Sequence, residues 1–131
     1  MENVIPDKEH QFPAAGEERD YRQFPDELEN DKHVLFHGTA ARNLRSIVED
    51  GFRPGDELDS VSFANNSSLA LGYACKSRVT ATDCGCIVAV RFEHLNAPGL
   101  KTEQFGIHAY RLNPQPAVIG YCLIPANYVF R

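Results

Sequence analysis

The sequence has no apolar run of about 18 residues, so no segment predicts a membrane-spanning helix. Its first residues, MENVIPDKEHQF, have neither a basic end nor an apolar stretch and do not predict a secretory signal peptide. The 131 residues are 43% hydrophobic and 24% charged, a composition typical of one soluble globular domain. From these features we expect a cytoplasmic protein without a membrane partner.

Cysteine is scarce too, with four residues, Cys75, Cys84, Cys86 and Cys122. Four cysteines in a chain of this length do not make a disulfide framework, so we expect free thiols. Cys84-Gly-Cys86 is a C-x-C pair with no second close pair and no histidine at ligand spacing beside it. We therefore predict no metal site.

An excess of positive charge is missing as well, because the formal net charge is -5. Residues 1–32 contain ten acidic and four basic residues, which leaves about +1 for residues 33–131. Without a basic stripe, nucleic acid is not an expected partner, since phosphate backbones are held largely by Lys and Arg. A protein surface is the better expectation.

Residues 1–32 are interpreted as an acidic N-terminal extension, polar and interrupted by Pro6, Pro13 and Pro25. Two roles are open to it. Its few large apolar residues can dock as one short helical face; these are Tyr21, Phe24 and Leu28. Alternatively, the extension can cover a cleft of the domain formed by residues 33–131.

Residues 33–131 carry two strand-then-helix patterns followed by a run of strands. HVLFH predicts a strand, and Thr39 then caps a helix that buries Leu44, Ile47 and Val48 and stops at Gly51. SVSFA predicts a second strand, before a helix over NNSSLALGYACKS capped by Asn or Ser. This helix is expected to bury Leu69, Ala70, Tyr73 and Ala74.

The strands that follow are predicted over CGCIVAVRFEHL, FGIHAYRL, PAVIGYCLI and ANYVFR. Helices early and strands late indicate an α+β fold, with antiparallel, split β-sheets flanked by short helices.

His37-Gly38-Thr39 after the first strand, Ser62-Phe63-Ala64 on the second, and a tyrosine eleven residues after Ser62, Tyr73, form a recognisable series. In this order and spacing, residues 34–131 resemble the ADP-ribosyltransferase superfamily. The resemblance is closest to the branch of poly(ADP-ribose) polymerases, diphtheria-type toxins and rifampin-modifying enzymes. It implies the family's split-sheet fold and NAD as co-substrate.

By this resemblance, His37 would hydrogen-bond a ribose of NAD, Gly38 would hold the nicotinamide carboxamide, and Tyr73 would cover one face of the ring. Thr39, Ser62 and Phe63 would complete the NAD site. The implied activity is NAD-dependent mono-ADP-ribosyl transfer to a protein acceptor by a compact toxin or effector. For His37 and Tyr73, burial in an apolar core is the alternative interpretation.

Two residues depart from the family pattern. Ser62 stands where the polymerases have a tyrosine, so the resemblance implies that one stacking face for nicotinamide is lost. The family's catalytic glutamate, which opens the penultimate strand, aligns with Gln115 by one spacing and with Ala117 by another.

Three explanations of the missing carboxylate are open. Glu103 or Glu93 supplies the charge; the chain is a natural pseudoenzyme; or glutamine at 115 or alanine at 117 replaces the natural glutamate. The second function class is accordingly an NAD- or ADP-ribose-binding module of the same fold. RNA 2′-phosphotransfer ranks last, because it needs a basic site that residues 33–131 lack.

Overall fold

The computed structural model describes residues 8–53, 60–78, 82–112 and 114–129. Three α-helices are present, α1 (Asp26–Glu29), α2 (Leu44–Asp50) and α3 (Ser67–Lys76), with 3-10 turns at Glu17–Arg19 and Ala41–Asn43. The strands are β1 (Val34–Ala40), β2 (Val61–Ala64), β3 (Gly85–Arg91), β4 (Leu100–Glu103), β5 (Gly106–Ala109) and β6 (Ala117–Ile124). The predicted α+β class is confirmed.

All six strands belong to one antiparallel sheet in the order β4-β5-β2-β1-β3-β6. Its two halves are joined by one ladder pair, Phe36 with Ala64, whereas β1 and β3 pair along their whole length. The predicted division into split sheets is not seen: the strands form one sheet, with a near-break between β1 and β2. β1 diverges from β2 just past Phe36, beside His37.

Apolar side chains pack on both faces of the sheet and form two clusters. Successive residues of β1 point to opposite faces, so Leu35 belongs to one cluster and Phe36 to the other. One cluster lies under α2 and includes Leu44, Phe52 and Phe63. The other lies under α3 and includes Phe36, Ala70 and Leu71.

Helix α3 lies unusually close to the sheet because glycines lie beneath it. A Cβ at Gly38 would stand 2.0 Å from the Ala70 carbonyl oxygen, and one at Gly85 would stand 2.7 Å from that of Ala74. The helix begins at Asn66, whose side-chain oxygen accepts a hydrogen bond from the Leu69 N–H at 3.0 Å. The predicted Asn cap is thus confirmed.

Several predicted details are wrong. Thr39 does not cap a helix: it lies within β1, one residue before its end, and its Oγ1 accepts a hydrogen bond from Asn43 Nδ2 at 2.9 Å. Tyr73 and Leu69 are exposed on α3, because Leu71, Ala70 and Ala74 occupy its buried side. Of the predicted closing strand ANYVFR, residues 126 and 127 form a turn, 128 and 129 belong to no strand, and 130 and 131 lie outside the described residues. The short polar strand β4 was not predicted.

The described part of the N-terminal segment, residues 8–32, packs onto the α3 face instead of extending from the domain. Phe24 is buried against Phe36 with ring centroids 5.2 Å apart, and the His10 N–H bonds Tyr121 O at 2.8 Å. The buried Glu29 carboxylate accepts from the Ser67 hydroxyl at 2.5 Å. The segment is therefore part of the folded domain, and the docking role proposed for Phe24 and Leu28 agrees with their burial.

Candidate functional site

A cleft of about 710 Å³ opens beside the near-break between β1 and β2. This volume is within the range of small-molecule sites. Its walls come from β1, β2, α3 and the β4–β5 hairpin. Seven of the residues selected from the sequence line it: His37, Gly38, Thr39, Ser62, Phe63, Tyr73 and Glu103. Among the described lining residues none comes from 8–32, so the described segment does not cover the cleft.

The His37 imidazole bridges the two strands where their ladder stops. Its Nδ1 lies 2.8 Å from the carbonyl oxygen of Ser62. Because a carbonyl oxygen only accepts, Nδ1 carries the hydrogen, and Nε2 of the neutral ring is then an acceptor. Burial lowers the pKa of His37 below 6.5, outweighing the opposite effect of the Ser62 carbonyl. Near neutral pH the cleft therefore contains a neutral imidazole with a defined tautomer.

Aromatic rings hold the His37 side chain from behind. Phe52 and Phe63 place their ring centroids 5.2 and 5.6 Å from that of His37 and 5.0 Å from each other. Phe63 is buried and also contacts Phe92, so its main role is to support His37. This packing fixes the imidazole in one orientation, as a binding group requires.

The lowered pKa of His37 gives a prediction for stability against pH. As the pH falls below 6.5, the unfolded chain protonates His37 more readily than the folded chain, so folding stability should fall toward the lower folded-state pKa. Above that window both states are neutral and this contribution is constant. His37→Gln should therefore lose less stability than the wild type between pH 7 and 5, measured by urea unfolding at several pH values.

Expressing the stability of each protein relative to its own value at pH 8 isolates the contribution of His37 protonation. Any packing lost in His37→Gln is present at every pH, and the carboxylates whose pKa is lowered, Glu18 and Asp31, are common to both proteins. Parallel stability profiles for the two proteins would contradict a histidine buried in its neutral form.

Gly38 lines the cleft, and its lack of a side chain has a structural reason. It leaves room for the backbone of α3, at Ala70 and Ala74. Close approach of the helix brings Tyr73, on the next turn after Ala70, to the cleft. Gly38 is thus needed to place Tyr73.

Ser62 makes a side-chain pair that the sequence did not indicate. Its Oγ lies 2.9 Å from Nδ1 of His108, its direct partner on β5. His108 also lines the cleft. The available signal was alternation in FGIHAY, where Ile107 and Ala109 are buried and His108 is half-buried between them.

Exposed apolar side chains are concentrated at the cleft. Among the described residues, five large hydrophobic side chains are exposed, and three of them, Leu69, Tyr73 and Phe105, line it. Such side chains are normally scattered singly over a surface, and their grouping is typical of a binding site. Glu103 adds a carboxylate 3.6 Å from the Lys101 ammonium.

A smaller cavity of about 310 Å³ adjoins the cleft and shares its lining residues His37, Thr39 and Arg53. Asn43 is shared as well, and the further walls include the polar residues Ser46 and Asp50. The two spaces together offer an aromatic end and a polar end with one arginine.

The other two sequence candidates, Gln115 and Ala117, do not lie at the cleft. Both line a separate cavity of about 310 Å³ that also includes Glu93. The Gln115 amide binds the Phe52 backbone at both ends: Oε1 accepts from the Phe52 N–H at 2.9 Å, and Nε2 donates to Phe52 O at 3.2 Å. Gln115 therefore fixes the loop after α2, which carries the ring behind His37.

Gln115→Ala is expected to lower the free energy of unfolding by about 1–2 kcal/mol, because it removes three hydrogen bonds of its amide group. Urea unfolding measures the change. Gln11→Ala is the control, since Gln11 is exposed, and should stay within about 0.5 kcal/mol of the wild type. Equal stability of the two variants would contradict the structural role of Gln115.

None of the four cysteines, all of which lie within the described ranges, is joined in a disulfide. Burial raises the pKa of the Cys86 thiol and raises that of Cys122 to about 12, so both are protonated near neutral pH. Within the described ranges no group of three or more His, Cys, Asp or Glu side chains can hold a metal ion. In the same ranges, none of the helices has the length and apolarity that a membrane crossing demands.

Comparison with known proteins leaves the site to be interpreted from its own geometry. No protein-family model matches the sequence, and neither a curated protein nor a solved structure gives a match to the chain.

Proposed function

We propose that the cleft binds NAD and that the chain transfers ADP-ribose from it to a protein acceptor. The observation that carries the proposal is the grouping, in one cleft, of His37, Tyr73 and Glu103. These groups are a hydrogen-bonding imidazole, an aromatic ring and a carboxylate, which come from three separate elements of the fold. The resemblance to ADP-ribosyltransferases selects the same His37 and Tyr73 by motif.

The chemistry of each group suits a part of NAD. The neutral His37 imidazole offers Nε2 to a ribose hydroxyl, while Nδ1 is bound to Ser62 O. The exposed Tyr73 ring offers a face to the planar nicotinamide. In the polar cavity beside the cleft, Asn43 and Arg53 offer hydrogen-bond donors to the negatively charged pyrophosphate, whereas the Asp50 carboxylate in the same lining opposes that charge.

In the proposed reaction the bond between ribose C1′ and the nicotinamide nitrogen breaks, and its electron pair leaves with nicotinamide. Positive charge then develops on the ribose, and we assign its stabilisation to the carboxylate of Glu103, which lines the cleft. An acceptor nucleophile bonds to C1′ and releases a proton. The pair formed by Ser62 and His108 lies in the same cleft and is suited to accept that proton.

The test is calorimetric titration of the full chain with NAD and with ADP-ribose, together with measurement of nicotinamide release. Binding with release supports the transferase. A chain that binds neither ligand removes the proposal.

A second candidate is an NAD- or ADP-ribose-binding module without turnover. It is favoured by one observation, the distance of Gln115 and Ala117 from the cleft, which leaves Glu103 as the acid there and pairs it with Lys101. Tight binding with no nicotinamide release, and no transfer to lysate proteins from labelled NAD, would select this candidate.

A further inference from the structure

Ser62 leaves the cleft without the second aromatic ring that a stacked nicotinamide would use, because the strand position carries a small hydroxyl side chain. The hydroxyl is also directed to His108 at 2.9 Å. One ring in the cleft, Phe63, is buried among Phe52 and Phe92 and is unavailable for stacking. A second face must come from a different element.

Phe105 meets this requirement. It lies in the turn between β4 and β5, lines the same cleft as Tyr73, and is 61% exposed, against 59% for Tyr73. A phenylalanine side chain has no polar atom that can hydrogen-bond water, so its exposure at a cleft wall is unfavourable. A ligand that covers the ring would remove this apolar surface from water.

The backbone around Phe105 is fixed rather than free to turn away. The Asn65 N–H donates to Phe105 O at 2.8 Å, and the Asn65 side chain donates to Gln104 O at 3.2 Å. At Gly106 a Cβ would stand 1.8 Å from Phe63 O, so the turn lies directly on β2. Asn65 precedes Asn66, the cap of the helix that carries Tyr73. The two exposed rings are thus attached to one rigid region.

We infer that Phe105 supplies the second aromatic face of the site, so that Tyr73 and Phe105 hold the planar nicotinamide ring of NAD between them. The inference rests on the proposed NAD-binding function. Phe105, in the turn between β4 and β5, would thus provide the aromatic face that Ser62 cannot provide.

The test measures the affinity of full-length variants for NAD and for ADP-ribose, which lacks the nicotinamide. Phe105→Ala should weaken NAD binding about 3- to 10-fold and change ADP-ribose binding less than about twofold. Phe105→Tyr and Phe105→Trp should bind NAD like the wild type, whereas Phe105→Leu, which is apolar but has no ring, should lose about threefold.

The matched control is Tyr110→Ala, an exposed aromatic residue just after β5 that is not among the described residues of the cleft wall. It should bind both ligands like the wild type. Since Phe105 and Tyr110 are both exposed, each variant should keep the wild-type Tm, which thermal unfolding checks.

Three results would overturn the inference. The first is equal affinity of Phe105→Ala and the wild type for NAD. The second is an equal loss of affinity for NAD and for ADP-ribose in Phe105→Ala. The third is wild-type NAD affinity in Phe105→Leu, which would indicate apolar contact without stacking. Each leaves NAD binding by the wild type intact. A wild type that binds neither ligand removes the proposed function and the inference together.

Discussion

Gly38→Ala is expected to lower the free energy of unfolding by about 3 kcal/mol, at the upper end of the range for overpacked sites. The added Cβ would stand 2.0 Å from Ala70 O and 2.8 Å from Ala74 N, and both are backbone atoms of α3 that cannot rotate away. The whole helix must shift to accept one methyl group. Urea unfolding measures the change, and Tm should fall by about 10 °C.

Gly72→Ala, in the same helix, is the control. This substitution should raise the free energy of unfolding by up to about 1 kcal/mol, because alanine has a higher helix propensity than glycine and position 72 lies inside α3. Similar stabilities for Gly38→Ala and the wild type would contradict the close contact between α3 and β1.

Glu103→Gln is expected to slow nicotinamide release from NAD about 100-fold or more while changing the affinity for NAD less than about threefold. Glutamine keeps the size of the side chain but removes the charge, and the charge matters most when the ribose becomes positive in the transition state. Steady-state release of nicotinamide and calorimetric titration with NAD measure the two effects separately.

Glu93→Gln is the matched control, because it makes the same change in an exposed acid that lines the cavity of Gln115 and Ala117. It should release nicotinamide at the wild-type rate. If Glu93→Gln lost activity and Glu103→Gln kept it, the proposed role of Glu103 would be contradicted. The reaction would then belong to the cavity lined by Glu93, Gln115 and Ala117.

The parts of the fold with local signals could be predicted from the sequence. The α3 helix has its own cap at Asn66, and β3 is a run of β-branched and small apolar residues, so neither depends on distant contacts. Strand β4 was missed because its residues are mostly exposed and polar at the edge of the sheet. Edge strands of this kind carry little apolar periodicity.

The errors on α3 and the N-terminal segment arose from contacts between distant residues. Periodicity predicted that Tyr73 lies on the buried face of α3. In the structure the helix turns Ala70 and Ala74 toward Gly38, and Tyr73 is exposed. Similarly, an acidic sequence gives no sign that Glu29 will be buried, since its partner Ser67 is 38 positions away. Only the folded chain brings the two together.

The candidate site was predicted in part for the same reason. His37 and Tyr73 belong to motifs with fixed spacing, and the structure brings both to one cleft with Glu103. His108 and Phe105 reach it through the β2–β5 pairing, which no spacing within the sequence reveals. Gln115 was selected by its spacing along the sequence, which does not show where the residues before β6 lie relative to β1.

The contact of residues 9 and 10 with Tyr121 has a consequence for the order in which the chain folds. The first described residues and the last strand meet across more than a hundred positions, and such long closures are entropically costly and slow. The contact of residues 9 and 10 with Tyr121 can therefore form only after β6 has been synthesised, whereas the packing of Phe24 on Phe36 needs only β1 and can precede it.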